Sequence, residues 1–218
     1  MKIKKFIPTG LLFLIFIVFT FVVKFADVSA IGPNGSEVGL ASLNGLIAGI
    51  FSYSDFCYKI TKIIALFSFM YVFFFAFMGI WQLIRGKSFK KVDTAILGLG
   101  GLYVITALFY VLFEVLVINF RPILVDGELE ASFPSTHTML AVTILGSACV
   151  YFIYRLKKPQ MYVTANIVLI VMMAVCRLIS GVHWCTDIIG GVILGCALIS
   201  LYLAFMQITN AKPDNTEQ

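Results

Sequence analysis

Histidine is almost missing from this 218-residue chain: there are two, His137 and His183. A histidine-rich metal centre is thereby excluded, and no metal or organic cofactor is expected. Charge is scarce too, with Asp, Glu, Lys and Arg supplying 12% of the residues. The net charge of +5 comes from short basic clusters set between apolar runs, so it does not mark a nucleic-acid partner. The five cysteines (Cys57, Cys149, Cys176, Cys185 and Cys196) lack metal-ligand spacing, and their odd number argues against a disulfide framework. Cys176 and Cys185 flank one turn and are either free thiols or, in an oxidising compartment, a pair. There is no internal repeat and no low-complexity segment.

What is present is apolar surface. Hydrophobic residues make up 61% of the chain, and the mean hydropathy is +1.00. A soluble chain of this size cannot hide that much, so the composition predicts a polytopic, all-α membrane protein. Six runs are long enough to span: Phe6 to Val23, Ile63 to Ile84, Ala95 to Ile118, Thr138 to Tyr154, Met161 to Ile179 and Ile188 to Met206. The first, followed by Val28-Ser29-Ala30, reads as a retained helix or as a signal peptide. Residues 31–62 form a weaker outer segment. Within it Leu40, Leu43, Leu46, Ile47 and Ile50 recur at helical spacing and predict a short interfacial helix or a re-entrant segment. The chain thus divides into a first helix (1–30), an outer segment (31–62), a helical core (63–206) and a polar tail (207–218).

The loop charges set an orientation. With the amino terminus in the cytoplasm, the inner segments hold Lys2, Lys4, Lys5, Arg85, Lys87, Lys90, Lys91, Arg155, Lys157, Lys158 and Lys212, eleven of the sixteen basic residues. The outer segments then hold Asp27, Glu37, Asp55, Asp126, Glu128 and Glu130. The expectation is six spans with both termini inside.

On that topology Glu114, Arg121, Ser135, His137, Arg177, His183 and Asp187 gather at the outer face, from the ends of two spans and the starts of two others. Phe133-Pro134-Ser135-Thr136-His137 opens an apolar helix. Unpaired N–H groups in a first helical turn, with a hydroxyl and an imidazole beside them, outline an anion site. Arg121 and Arg177 offer planar forks that suit a phosphate, although an arginine at a span end also serves as a headgroup anchor. His183 and Asp187 are four residues apart and would share a helix face, where the carboxylate fixes the imidazole tautomer.

The order Arg121-Pro122, Pro134-Ser135-Thr136-His137, then Arg177, five residues, His183, three residues, Asp187 resembles the type 2 phosphatidic acid phosphatase family. That resemblance covers about Glu114 to Gly195. It implies that His183 attacks phosphorus to give a phosphohistidine, Asp187 orients it, and His137 protonates the leaving oxygen and later activates water. It implies that Arg121, Arg177, Ser135 and the amides at Thr136 and His137 hold the phosphoryl oxygens, with Pro134 shaping the turn. The sequence departs from the family pattern at three places. Glu114 stands where the first motif has lysine, Thr136 replaces glycine, and Cys176 replaces serine. A carboxylate at 114 would repel phosphate if it faced the site, so it is expected behind the site, paired with Arg121 or another arginine. Lys59 or Lys62 could supply the missing cation, or could simply mark the membrane boundary.

The expected activity is hydrolysis of a lipid phosphate or diphosphate at the outer leaflet of the cell membrane, without a metal. Undecaprenyl diphosphate, phosphatidylglycerophosphate and phosphatidic acid all fit, with a cell-envelope role first among them. The rivals are a lipid phosphotransferase and a non-catalytic anionic-lipid binder or transporter. The sequence leaves the oligomeric state open.

Overall fold

The computed structural model describes residues 3–51, 53–125 and 127–209. Lys2, Asp126, Lys212 and the rest of the tail beyond 209 lie outside the described residues. Seven α-helices follow in order: α1 Ile7–Phe25, α2 Ala41–Ala48, α3 Asp55–Gly86, α4 Thr94–Val115, α5 Thr136–Arg155, α6 Gln160–Ile179 and α7 Cys185–Ile208. All but α2 are long and apolar enough to cross a membrane, which matches the expected six spans plus one short helix. Among the described residues, the only β pairing is in isolated bridges within the connecting loops.

Helix α5 is the centre of the bundle, buried almost continuously from Thr138 to Phe152. Its small residues Ala141, Gly146, Ser147 and Ala148 let neighbouring backbones come close, the usual device where lipid offers no hydrophobic drive for helix association. Helix α7 answers with Gly191 and Gly195. A Cβ at Gly191 would stand 2.7 Å from the Ser135 carbonyl oxygen, so the first turns of α5 and α7 meet backbone to backbone. The Ser135 N–H donates to the Asp187 carbonyl at 2.9 Å and fixes that junction. Helix α1 packs into the same core, where Phe16 stacks on Phe133 with ring centroids 6.2 Å apart.

Several ends differ from the apolar runs. Helix α3 begins at Asp55, eight residues before the run at Ile63. Ser54 caps it by accepting from the Cys57 N–H, and an exposed Asp55–Lys59 pair at 2.7 Å solvates the extra turns. Helix α4 stops at Val115, so Ile118 and Arg121 lie in the following loop. Helix α2 docks on α7 through Asn44, which is buried. Asn44 Nδ2 donates to Thr186 Oγ1 at 2.9 Å, and its Oδ1 accepts from the Thr186 N–H at 3.2 Å.

The start of α3, the end of α4, the start of α5, the end of α6 and the start of α7 all share one end of the bundle. Arg85, Lys87, Lys90, Lys91, Arg155, Lys157 and Lys158 occupy the opposite end.

Candidate active site

Two short segments pair across the loop between α4 and α5. The Arg121 N–H donates to the Glu130 carbonyl at 3.0 Å, and the Ser132 N–H donates to the Asn119 carbonyl at 2.9 Å. This pairing brings Arg121 and Ser132 to the helix ends. The Trp184 indole N–H donates to the Phe120 carbonyl at 2.7 Å and ties the segment to α7. Arg121 also donates through Nε to the Ala131 carbonyl at 3.4 Å.

Arg177 is 1% exposed, yet no carboxylate pairs with it among the described residues. Its Nη2 donates to His137 Nδ1 at 2.6 Å. Because a guanidinium can only donate, His137 Nδ1 must hold a lone pair, which leaves the ring proton on Nε2. Among the described residues, Arg177 Nε and Nη1 are buried without partners. Two such nitrogens on a buried cation are costly unless an anion binds their N–H groups.

His183 is 4% exposed and Asp187 is fully buried. The expected helical relation between them does not hold. His183 precedes α7, whose N-cap is Trp184. Asp187 occupies the third helical position and accepts from the Trp184 N–H through Oδ2 at 2.8 Å. Its spacing from His183 therefore serves a capped turn, not a shared face. His183 Nδ1 stands 3.5 Å from Asp187 Oδ2, too long for a good hydrogen bond. The Ser132 hydroxyl lies between, 3.1 Å from Nδ1 and donating a short hydrogen bond to Asp187 Oδ2. His183 Nε2 is buried with no partner. Burial first, then the positive charges of Arg177 and Arg121, hold this imidazole well below the usual histidine range.

Ser135 is fully buried at the N-cap of α5 and accepts from Thr138 Oγ1 at 3.0 Å. Thr136 and His137 follow in the first turn, where amides have no intrahelical partner. Pro134 is buried behind that turn. Glu114 is exposed on the last turn of α4, and the acid beside Arg121 is Glu130, 3.2 Å from its Nη2. Glu130 sits across the paired segments from Arg121, whereas Glu114 lies on α4, which ends at Val115 before that pairing begins. Of the two candidate lysines, Lys59 is taken by Asp55, while Lys62 lies over the Tyr58 ring at 4.5 Å. Arg177 lies over the same ring at 5.6 Å. All five cysteines, Cys176 and Cys185 among them, are free. Ser132 is the residue that sequence reasoning missed. No sequence signal marks it, because its place depends on the pairing of 119–121 with 130–132.

Two cavities flank the site. An apolar groove of about 460 Å³ between α3, α4 and α5 is lined by Ser68, Tyr103, Tyr110, Leu140 and Ile144 and ends at His137. A second cavity of about 230 Å³ is lined by Asn44, Tyr53, Pro122 and Trp184 and ends at His183. Among the described residues, no group of three or more His, Cys, Asp or Glu side chains is placed to hold a metal ion.

The model of the PAP2 superfamily matches residues 115–211. No curated protein matches the chain. Among solved structures, the chain is similar to a transmembrane PAP2-type phosphatidylglycerolphosphate phosphatase from Bacillus subtilis, at 20% identity and a TM-score of 0.59, with 95% of this chain and 98% of that one covered. At that identity the likeness speaks for the fold. The matched region contains both arginines, both histidines and Asp187, and over it the chain is similar to the PAP2 superfamily.

Proposed function

We propose that this protein is an integral membrane phosphatase that hydrolyses the phosphate or diphosphate of a lipid through a phosphohistidine on His183. The observation that carries the reading is that, among the described residues, buried Arg177 has two unpartnered nitrogens and the buried His183 imidazole has an unpartnered Nε2. An anionic group with an electrophilic centre satisfies both at once, and a mere binder has no use for the free lone pair. The groove ending at His137 supports a lipid as the other half of the substrate.

In the first step Nε2 of His183 bonds to phosphorus as the bond to the lipid oxygen breaks; with Arg177 drawn onto the phosphate, His137 takes a second proton at Nδ1, and this imidazolium gives its Nε2 proton to that oxygen and returns to the neutral ring. Arg177, Arg121, Ser135 and the amides of Thr136 and His137 hold the phosphoryl oxygens. In the second step His137 takes a proton from water, the water oxygen bonds to phosphorus, and the phosphorus–nitrogen bond breaks to release phosphate. The clustering of basic residues at the opposite end of the bundle favours a site on the outer face with both termini in the cytoplasm. Undecaprenyl diphosphate, phosphatidylglycerophosphate and phosphatidic acid are the substrate candidates, and no metal is needed for the steps described.

The test is phosphate release from these three lipids by detergent-purified protein, with and without chelator, beside His183→Ala. Release unaffected by chelator and abolished in the variant is expected. An unchanged rate in His183→Ala would end the catalytic reading, and a phosphorylated lipid product in place of free phosphate would make the protein a transferase.

A further inference from the structure

We propose that Ser132 is the positioning residue through which Asp187 sets the orientation and tautomer of His183. The inference rests on the reading of His183 as the phosphoryl acceptor. A direct bond between the imidazole and the carboxylate is not made, because Nδ1 and Oδ2 are 3.5 Å apart. The Ser132 hydroxyl touches both.

A hydroxyl has one proton to give and two lone pairs to accept with. Asp187 Oδ2 already accepts from the Trp184 N–H at 2.8 Å, which marks it as an acceptor. Ser132 therefore gives its proton to Oδ2, and its lone pair faces Nδ1. That makes Nδ1 the protonated ring nitrogen and leaves the lone pair on Nε2, the atom without a partner. When phosphorus bonds to Nε2, the ring gains positive charge and the Nδ1–H becomes a stronger donor. A hydroxyl oxygen polarised by the carboxylate is then in place to receive it.

Ser132 is held in place by its surroundings. It is 2% exposed, and its N–H is held by the Asn119 carbonyl at 2.9 Å in the pairing that also carries Arg121. The loop that delivers the phosphate-binding arginine thus delivers the group that orients the nucleophile.

The experiment compares Ser132→Ala, the near-isosteric Ser132→Cys, Asp187→Ala, the Ser132→Ala/Asp187→Ala pair and His183→Ala, by kcat and by ¹⁵N-histidine NMR in detergent. Two histidines make the spectrum assignable. Expected are a fall in kcat of about 10- to 100-fold in both serine variants and a shift of the His183 ring proton from Nδ1 toward Nε2. The double variant should be no slower than Asp187→Ala, since one path has been cut twice. The cysteine variant keeps the volume, so it separates the hydrogen bond from packing if the alanine variant folds poorly. A kcat within about twofold of the parent with an unmoved tautomer would overturn the proposal, as would losses that multiply in the double variant. Full activity in His183→Ala would instead overturn the functional reading beneath it.

Discussion

Replacing Arg177 by methionine should separate stability from anion binding. Several terms oppose one another. Taking a guanidinium out of water costs several kcal/mol, and no carboxylate offsets it here. Methionine relieves that cost but strips His137 Nδ1 of its donor, worth about 1–3 kcal/mol. It also ends the contact with the Tyr58 ring, worth roughly 1 kcal/mol. The terms are of similar size, so the unliganded variant should unfold within a few degrees of the parent, at about 2–4 °C per kcal/mol for a chain of this length. The ligand response should differ sharply. An anion that binds the native state at about 100 times its Kd adds about 2.7 kcal/mol, or about 5–11 °C to the parent's midpoint, and should add almost nothing to the variant's. Thermal unfolding in detergent, with and without phosphate or vanadate, reads both quantities. A variant that loses about 3–5 kcal/mol without ligand would show that Arg177 is a paired structural charge. A variant that keeps the parent's anion response would show that the orphaned N–H groups do not face the phosphate.

His183 should stay neutral as pH falls through the ordinary histidine value near 6.5. The unfolded chain gains a proton there that the native ring refuses, so this residue makes stability fall as pH drops below about 6.5; titration at or above 6.5 in ¹⁵N-histidine NMR would contradict the burial argument. Gly191→Ala should destabilise by about 1–3 kcal/mol, seen as a lower midpoint together with lower activity, because its Cβ would meet the Ser135 carbonyl at 2.7 Å and Thr138 Cβ at 3.0 Å. Lys62→Ala should lower kcat/KM by about fivefold, the scale of an exposed charge, because its ammonium lies over the same Tyr58 ring as Arg177. Lys59→Ala should leave kcat/KM within about twofold, since Asp55 already holds that charge; equal losses in the two variants would remove the distinction.

The six spans were legible because apolar run length is a direct response to bilayer thickness. Their ends were less so. Hydropathy falls at Asp55, Lys59 and Lys62, yet a Ser54 cap and an i,i+4 ion pair keep those residues helical. In the candidate site, motif order pointed to the arginines, histidines and Asp187, which carry charge or titrate and so stand out in an apolar chain. Ser132 does not stand out. Its meaning depends on the pairing of 119–121 with 130–132, two segments too short to show a period. The spacing of His183 and Asp187 suggested a shared helical face, but Trp184 is the N-cap of α7, so His183 precedes the helix and Asp187 lies in its first turn.

The two cavities bear on the fate of the proposed phosphohistidine. In-line attack puts the nucleophile and the leaving group on opposite sides of phosphorus, so the lipid oxygen leaves on the His137 side, where the apolar groove ends. Water must then approach the phosphohistidine from that same side, opposite His183. The departing lipid and the incoming water therefore compete for one position, beside one imidazole that serves both as acid and as base. Hydrolysis requires the lipid to vacate the groove before the phosphorus–nitrogen bond breaks, and a hydroxyl-bearing lipid that lingers there meets the same geometry as water. On this arrangement phosphatase and phosphotransferase differ not in the residues around phosphorus but in how long a lipid hydroxyl stays against Leu140 and Ile144 on α5.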